Sequence, residues 1–184
     1  MCNKKMKNCK ISLDSNSVTY LKQASEHMEK PTGCLAEEQI ALFRIFLFVE
    51  DIFYFTPTVM DEILAIPDSK NMNDHLEWID VHFEKIKIDD VNATSRRATE
   101  LQECHKGIKK YNDCAAIAES ESNCCDYFLT YDSDLLKNLR QECRDLKLCS
   151  PSEFWNVLDI LKGARPIKIP TSSNPLIGVN WWSW

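Results

Sequence analysis

Two apolar runs in this chain lead directly into acids. Ile11-Ser12-Leu13 is followed by Asp14, and Tyr127-Phe128-Leu129-Thr130 is followed by Tyr131 and Asp132. Each run has the length and composition of a buried strand, and helical stretches separate such runs along the chain. Strands alternating with helices predict a parallel sheet covered on both faces. In an open parallel sheet, ligands bind in the crevice outside the carboxyl ends of the strands. An acid that closes a buried strand therefore points to a site, whereas most of the 28 acids in the chain need only be solvated.

The remaining elements follow from periodicity and capping residues. Helices are expected over Asn16 to Met28 and Ala36 to Phe48, and a strand at Ile52 to Phe55. The boundary between the last two is open, because short buried helices and strands look alike. Thr56-Pro57 reads as a helix start, with Thr as N-cap and Pro at the first helical position. Val59, Ile63 and Ile66 then face inward, and Pro67-Asp68-Ser69 ends the helix. A short helix at His75 to Asp80 and a strand at Lys85 to Ile88 come next. Helices at Asp90 to His105 and Asp113 to Ser122 precede the strand at Tyr127 to Thr130. A helix from Asp134 to Arg144, a strand at Leu146 to Cys149 and a helix from Pro151 to Leu161, capped by Ser150, complete the domain at about residue 162. Residues 163–184 form a tail with three tryptophans, expected to dock on its own domain or on a partner subunit.

Composition narrows the class. A chain of 184 residues with 44% hydrophobic and 27% charged residues can bury one ordinary core. The net charge of −6 disfavours a broad basic surface, but a carboxylate cluster is itself negative until a metal arrives. The basic start, MCNKKMKNCK, lacks the apolar stretch of a secretory signal. The most apolar segment, Ile40 to Phe55, is broken by Arg44, Glu50 and Asp51, so no membrane span is expected. A cytoplasmic location follows as the expectation. Nine cysteines, without a Cys-x-x-Cys pair, read as reduced and mainly as small buried hydrophobes.

Asp113 begins a helix and Glu62 sits in the early turns of another, although the adjacent Asp61 could face the same way. Helix starts lie at the same end of such a sheet as strand carboxyl ends, so Asp14, Glu62, Asp113 and Asp132 can converge. Clustered carboxylates raise one another's pKa unless a cation compensates. Hard divalent ions such as Mg²⁺ and Mn²⁺ take oxygen ligands and phosphate oxygens together. Metals held this way activate water and align a phosphodiester for in-line attack. Arg96, Arg97, Lys106, Lys109 and Lys110 precede Asp113 and are candidates to guide phosphates, or are ordinary solvated helix-end cations.

The motifs in order resemble those of PIN-domain nucleases. Ile11-Ser12-Leu13-Asp14-Ser15-Asn16 is similar to the family's hydrophobic strand with Asp-x-Asn. The segment from Thr56 to Leu64, with its Glu62, resembles the second motif. Asn112-Asp113-Cys114-Ala115-Ala116 resembles the third, and Thr130-Tyr131-Asp132-Ser133-Asp134 the fourth. Ser150-Pro151-Ser152-Glu153-Phe154 is similar to the closing segment. The resemblance spans residues 10 to 161. It implies a three-layer α/β/α sandwich on a mostly parallel sheet of about five strands, and Mg²⁺- or Mn²⁺-dependent endoribonuclease activity with one or two ions. It makes Asp14 the central metal ligand, with Glu62, Asp113 and Asp132 beside it and Asp134 auxiliary. Asn16 and Thr130 orient the carboxylates. RNA is the implied substrate, the toxin of a toxin–antitoxin pair the implied setting, with an antitoxin protein as partner and a homodimer as assembly. The longer stretch between the first two acids and the C-terminal tail depart from the smaller toxins. A non-catalytic PIN-fold binding module is the alternative. A phosphatase of the haloacid-dehalogenase class ranks below it, because Asn16 stands where that chemistry needs a second Asp.

Overall fold

The computed structural model describes residues 9–26, 29–50, 52–104, 111–168 and 178–184. Five strands, β1 (Lys10–Leu13), β2 (Ile52–Phe55), β3 (Glu84–Lys85), β4 (Tyr127–Leu129) and β5 (Lys147–Cys149), form one sheet in the order β3-β2-β1-β4-β5. Every pairing is parallel, with Ile11 opposite Phe53 on one side and opposite Tyr127 on the other. The chain thus builds outward from β1 through β2 to β3, then crosses back to lay β4 and β5 on β1's other side.

Among the described residues, eight helices cover the sheet: α1 (Ser15–Glu26), α2 (Ala36–Phe48), α3 (Pro57–Leu64), α4 (Ser69–His82), α5 (Val91–Cys104), α6 (Tyr111–Ser122), α7 (Ser133–Leu139) and α8 (Pro151–Val157). Strand alternation sorts the cores. Ile11, Leu13, Phe53, Phe55, Tyr127 and Leu129 face one layer with α1, α2, α3, α4 and α8. Tyr54, Phe128 and Leu148 face the other, with α5, α6 and α7. This is the α/β/α sandwich that the motif resemblance implied. Burying a side chain such as Phe128, fully enclosed here, contributes about 1.5–3 kcal/mol. Ser12, also fully buried, fills the position on β1 that faces α6, and its hydroxyl donates to the Tyr127 carbonyl at 3.1 Å. A larger residue there would meet the small-residue helix α6, whose Cys114, Ala116 and Ala118 are buried.

Most element boundaries agree with the sequence reading, and the differences have local causes. The Thr56 hydroxyl accepts from Val59 N, as an N-cap should, but α3 ends at Leu64 and Ile66 is only partly buried. Asp68 does not belong to a helix stop alone: its carboxylate accepts from Asn71 N at 2.8 Å and starts α4. That helix has 14 residues rather than the short turn expected, and only His75 and Ile79 of it are buried, so its apolar face is nearly invisible in the sequence. β3 is two residues long, although Ile86 beyond it is buried as expected and donates its N–H to the Phe55 carbonyl. The helix expected to run to Arg144 stops at Leu139, and the one expected to reach Leu161 stops at Val157. Ser150 and Glu153 form a complete capping box at the start of α8.

Residues 178–184 pack against α2 and α8. Arg44 donates to the Trp182 carbonyl at 3.0 Å and to the Ser183 carbonyl at 2.6 Å. Its guanidinium lies 4.8 Å from the Trp184 ring centre. Trp184 in turn donates to the Ile160 carbonyl at 2.7 Å and meets Trp155 edge-on. Cys114 and Cys125 are buried, but Cys34, Cys104 and Cys124 are exposed, so the cysteines are not uniformly core residues. Among the described residues, no helix is long and apolar enough to cross a membrane.

Candidate active site

β1 and β4 are neighbours that feed helices after opposite halves of the sheet, which makes the crevice beyond their carboxyl ends the topological switch point. Asp14 and Asp132 both lie there. Asp14 leaves β1 as the cap of α1: Oδ1 accepts from Ser17 N at 2.6 Å, and its carbonyl accepts from Val18 N. Asp132 does the same for α7, its Oδ1 accepting from Asp134 N at 2.9 Å and Leu135 N at 3.0 Å. Each acid therefore has the structural duty of a cap and stands at a positive helix end.

Thr130 ties the two together. Fully buried, it donates its hydroxyl to Asp14 Oδ2 at 2.5 Å and accepts from Asp132 N at 3.1 Å. One hydroxyl thus fixes both strand ends. Burial pushes the Asp14 carboxyl above the ordinary aspartate value of 3.8, the hydrogen bonds from Ser17 and Thr130 pull it down, and the Asp132 charge adds repulsion. Desolvation is the largest of these, so the surroundings do not fully compensate the ionised form of Asp14.

Glu62 and Asp113 meet in a separate hollow of about 440 Å³, lined by Ser15, Asn16, Tyr111 and Asn112 as well. Glu62 is half-buried and lines the hollow, while Asp61 is exposed and does not. Asn112 donates to Glu62 Oε1 at 3.0 Å, linking α6 to α3. Asp113 lies in the first turn of α6, which begins at Tyr111, two residues before the expected start. Asn16 stands between this hollow and a second of about 460 Å³, which contains Asp132, Tyr20, Tyr131, Gln23 and Gln39. Asp134 is exposed in the first turn of α7 and lines neither hollow.

The four acids therefore share one end of the sheet: Asp132 lines one hollow, Glu62 and Asp113 the adjoining one, and Asp14 lines neither but is tied to Asp132 through Thr130. Among the described residues, no three His, Cys, Asp or Glu side chains come close enough together to hold a metal ion. By chemistry the donors suit a hard divalent cation, since all are carboxylate oxygens and Asp14 is an undercompensated one.

The basic candidates divide. Arg96 is exposed. Arg97 is committed elsewhere: its Nε donates to Glu121 Oε2 at 2.7 Å and its Nη2 to the Glu142 carbonyl at 2.6 Å. Its hollow includes Asp126 and Leu146, at the amino ends of β4 and β5. It thus lies at the opposite end of the sheet from the acids, and a phosphate-guiding role for Arg97 is corrected on that ground. Lys106, Lys109 and Lys110 lie outside the described residues.

Two solved structures are similar in fold. One is VapBC2 from Rickettsia felis bound to a DNA fragment from their promoter, at 13% identity and a TM-score of 0.48, covering 76% of this chain and 97% of that one. The other is FitAcB from Neisseria gonorrhoeae, at 14% identity and a TM-score of 0.48, covering 77% and 97%. No family model matches the chain, and no curated protein matches it. Likeness at this level adds nothing to the chemistry, which rests on the residues.

Sequence reasoning missed the surroundings of Asp14. Ser17 follows it at capping distance, a legible signal. Tyr131 lies between two motif residues. Gln39 on α2 and Gln23 on α1 had no signal at all, because helix packing alone brings them to the site.

Proposed function

We propose that this chain is a divalent-metal-dependent ribonuclease of the PIN type. The observation that carries the reading is the Asp14–Thr130–Asp132 linkage at the switch point of the sheet, with Glu62 and Asp113 in the adjoining hollow. Asp14, Glu62, Asp113 and Asp132 would hold Mg²⁺ or Mn²⁺. A bound ion supplies Lewis-acid activation of water and charge stabilisation at the phosphate. The chain's own part is orientation. Thr130 and Ser17 aim the Asp14 carboxylate and offset part of the cost of its burial, the α1 and α7 amino ends offset negative charge at the phosphate's approach, and Asn112 steadies Glu62. Asp134 is an auxiliary acid that reaches the site only from solvent. A silencing partner of the antitoxin kind and a homodimer belong to the same reading, and both rest on the motif resemblance.

The test is cleavage of end-labelled RNA with Mn²⁺, with EDTA and by Asp14→Asn. Loss in the last two supports the reading, and equal cleavage by wild type and variant overturns it. Asp132 and the Glu62–Asp113 pair line different hollows and Asp14 lines neither, which favours a second reading, a PIN-type binding module without catalysis. Calorimetric titration with Mn²⁺ separates them: the module shows no stoichiometric uptake.

A further inference from the structure

The hollow beside Asp132 has a chemistry of its own. Its walls carry three carboxamides, Asn16, Gln23 and Gln39, from α1 and α2, and two aromatic rings, Tyr20 and Tyr131. No residue lining it is basic. A phosphate would find no cation among these groups and would meet the Asp132 charge. Neutral amides offer donors and acceptors together, which matches the edge of a nucleobase, and aromatic rings offer a face to stack on. The side chains of Asn16 and Gln23 are exposed and that of Gln39 is half-buried, and none of the three is hydrogen-bonded within the described protein. The hydroxyls of Tyr20 and Tyr131 are buried without a well-formed partner, although Ser17 lies near Tyr131. Tyr20 and Tyr131 meet edge-on at 6.4 Å, so the floor is shaped by packing while its polar capacity is unmet. Buried polar groups are ordinarily satisfied, and two unpartnered tyrosine hydroxyls in a hollow that three amides also line, beside a candidate reaction centre, point to something external.

We propose that this hollow is a nucleobase subsite, which takes an unpaired base next to the phosphate that the acids act on. The proposal rests on the ribonuclease reading for the neighbouring site, and it makes single-stranded or extruded nucleotides the preferred substrate, because a base within a duplex cannot enter. Gln23 and Gln39 are the residues that select the base edge.

The experiment measures binding by fluorescence anisotropy, with Ca²⁺ to fill oxygen sites without Mn²⁺. The probes are a short labelled single-stranded RNA and the same RNA with one abasic position walked through it. An abasic substitution at one position should weaken binding about tenfold, the scale of one lost base contact. Gln23→Ala and Gln39→Ala, one at an exposed and one at a half-buried position of the hollow, should weaken binding of the intact RNA and remove the difference between intact and abasic probes. Equal binding of all abasic probes, unchanged discrimination in both variants, or no RNA binding overturns the subsite. Cleavage with Mn²⁺ is run in parallel. Cleavage without base discrimination sinks the subsite alone, and base discrimination without cleavage sinks the ribonuclease reading alone.

Discussion

Thr130→Val is the most informative single change in the site. Valine has the shape of threonine, so packing in the buried position is kept while the hydroxyl is lost. Two bonds go: donation to the Asp14 carboxylate and acceptance from Asp132 N. A hydrogen bond to a charged group contributes about 1.5–3 kcal/mol and a neutral one about 0.5–1.5 kcal/mol. Asp132 is exposed, so water replaces much of the second bond, and the first dominates. The expected loss is about 2–3 kcal/mol, which for a domain of this size lowers Tm by about 4–12 °C. Its pH dependence identifies the cause. Burial already raises the Asp14 pKa above the unfolded value, so the folded state holds that proton longer and stability declines as pH rises from the ordinary aspartate range. Removing the Thr130 hydroxyl raises the folded pKa further and steepens the decline. The difference between variant and wild type should therefore be largest near neutral pH and shrink below about pH 3.9, where Asp14 is protonated in both states. Urea unfolding at several pH values measures it. Thr130→Ser, which keeps the hydroxyl and loses a methyl worth about 0.8 kcal/mol, should show no such pH dependence. A Thr130→Val penalty that is the same at every pH refutes the idea that the hydroxyl serves the charge on Asp14.

Three other outcomes are expected. Glu62→Gln should suppress Mn²⁺-dependent RNA cleavage while Asp61→Asn leaves it near wild type, and the reverse order in a rate assay would move the site to Asp61. Glu121→Gln weakens the pair with Arg97, whose side chains are 14% and 8% exposed, and should cost about 2 kcal/mol in chemical denaturation without changing cleavage, since it lies at the far end of the sheet. Arg44→Ala removes the contacts that hold the Trp182 and Ser183 carbonyls and the Trp184 ring, and should cost about 1–3 kcal/mol, with faster proteolysis near residue 180 as the readout.

The sheet was legible because its strands are short, apolar and bounded by turn residues, and because Thr56 and Ser150 are unambiguous caps. α4 was not, since its buried residues are His75 and Ile79 on an otherwise polar helix. The same contrast holds in the site. Asp14 and Asp132 could be read from the runs they follow. Glu62 could be told from Asp61 only by burial. Arg97 could not be read at all: charge along the chain says nothing about which end of a sheet an arginine reaches, and its partner Glu121 lies 24 residues away. Gln23 and Gln39 belong to the hollow through the packing of α1 against α2, a tertiary fact without a local pattern.

The order of the strands also sets a schedule. β1 is the first strand in the chain, and the partner that brings Asp132 beside Asp14 is β4, with Ile11 paired to Tyr127 across 116 residues. Closing so long a loop comes late in folding, after the local helix pairs have formed. A chain emerging from the ribosome holds Asp14 for most of its synthesis with no Asp132 to stand beside. The acid pair comes into being only when β4 docks on β1, so a chain that ends before β4 cannot assemble it. On the ribonuclease reading proposed above, the nascent chain is inert until that late pairing closes.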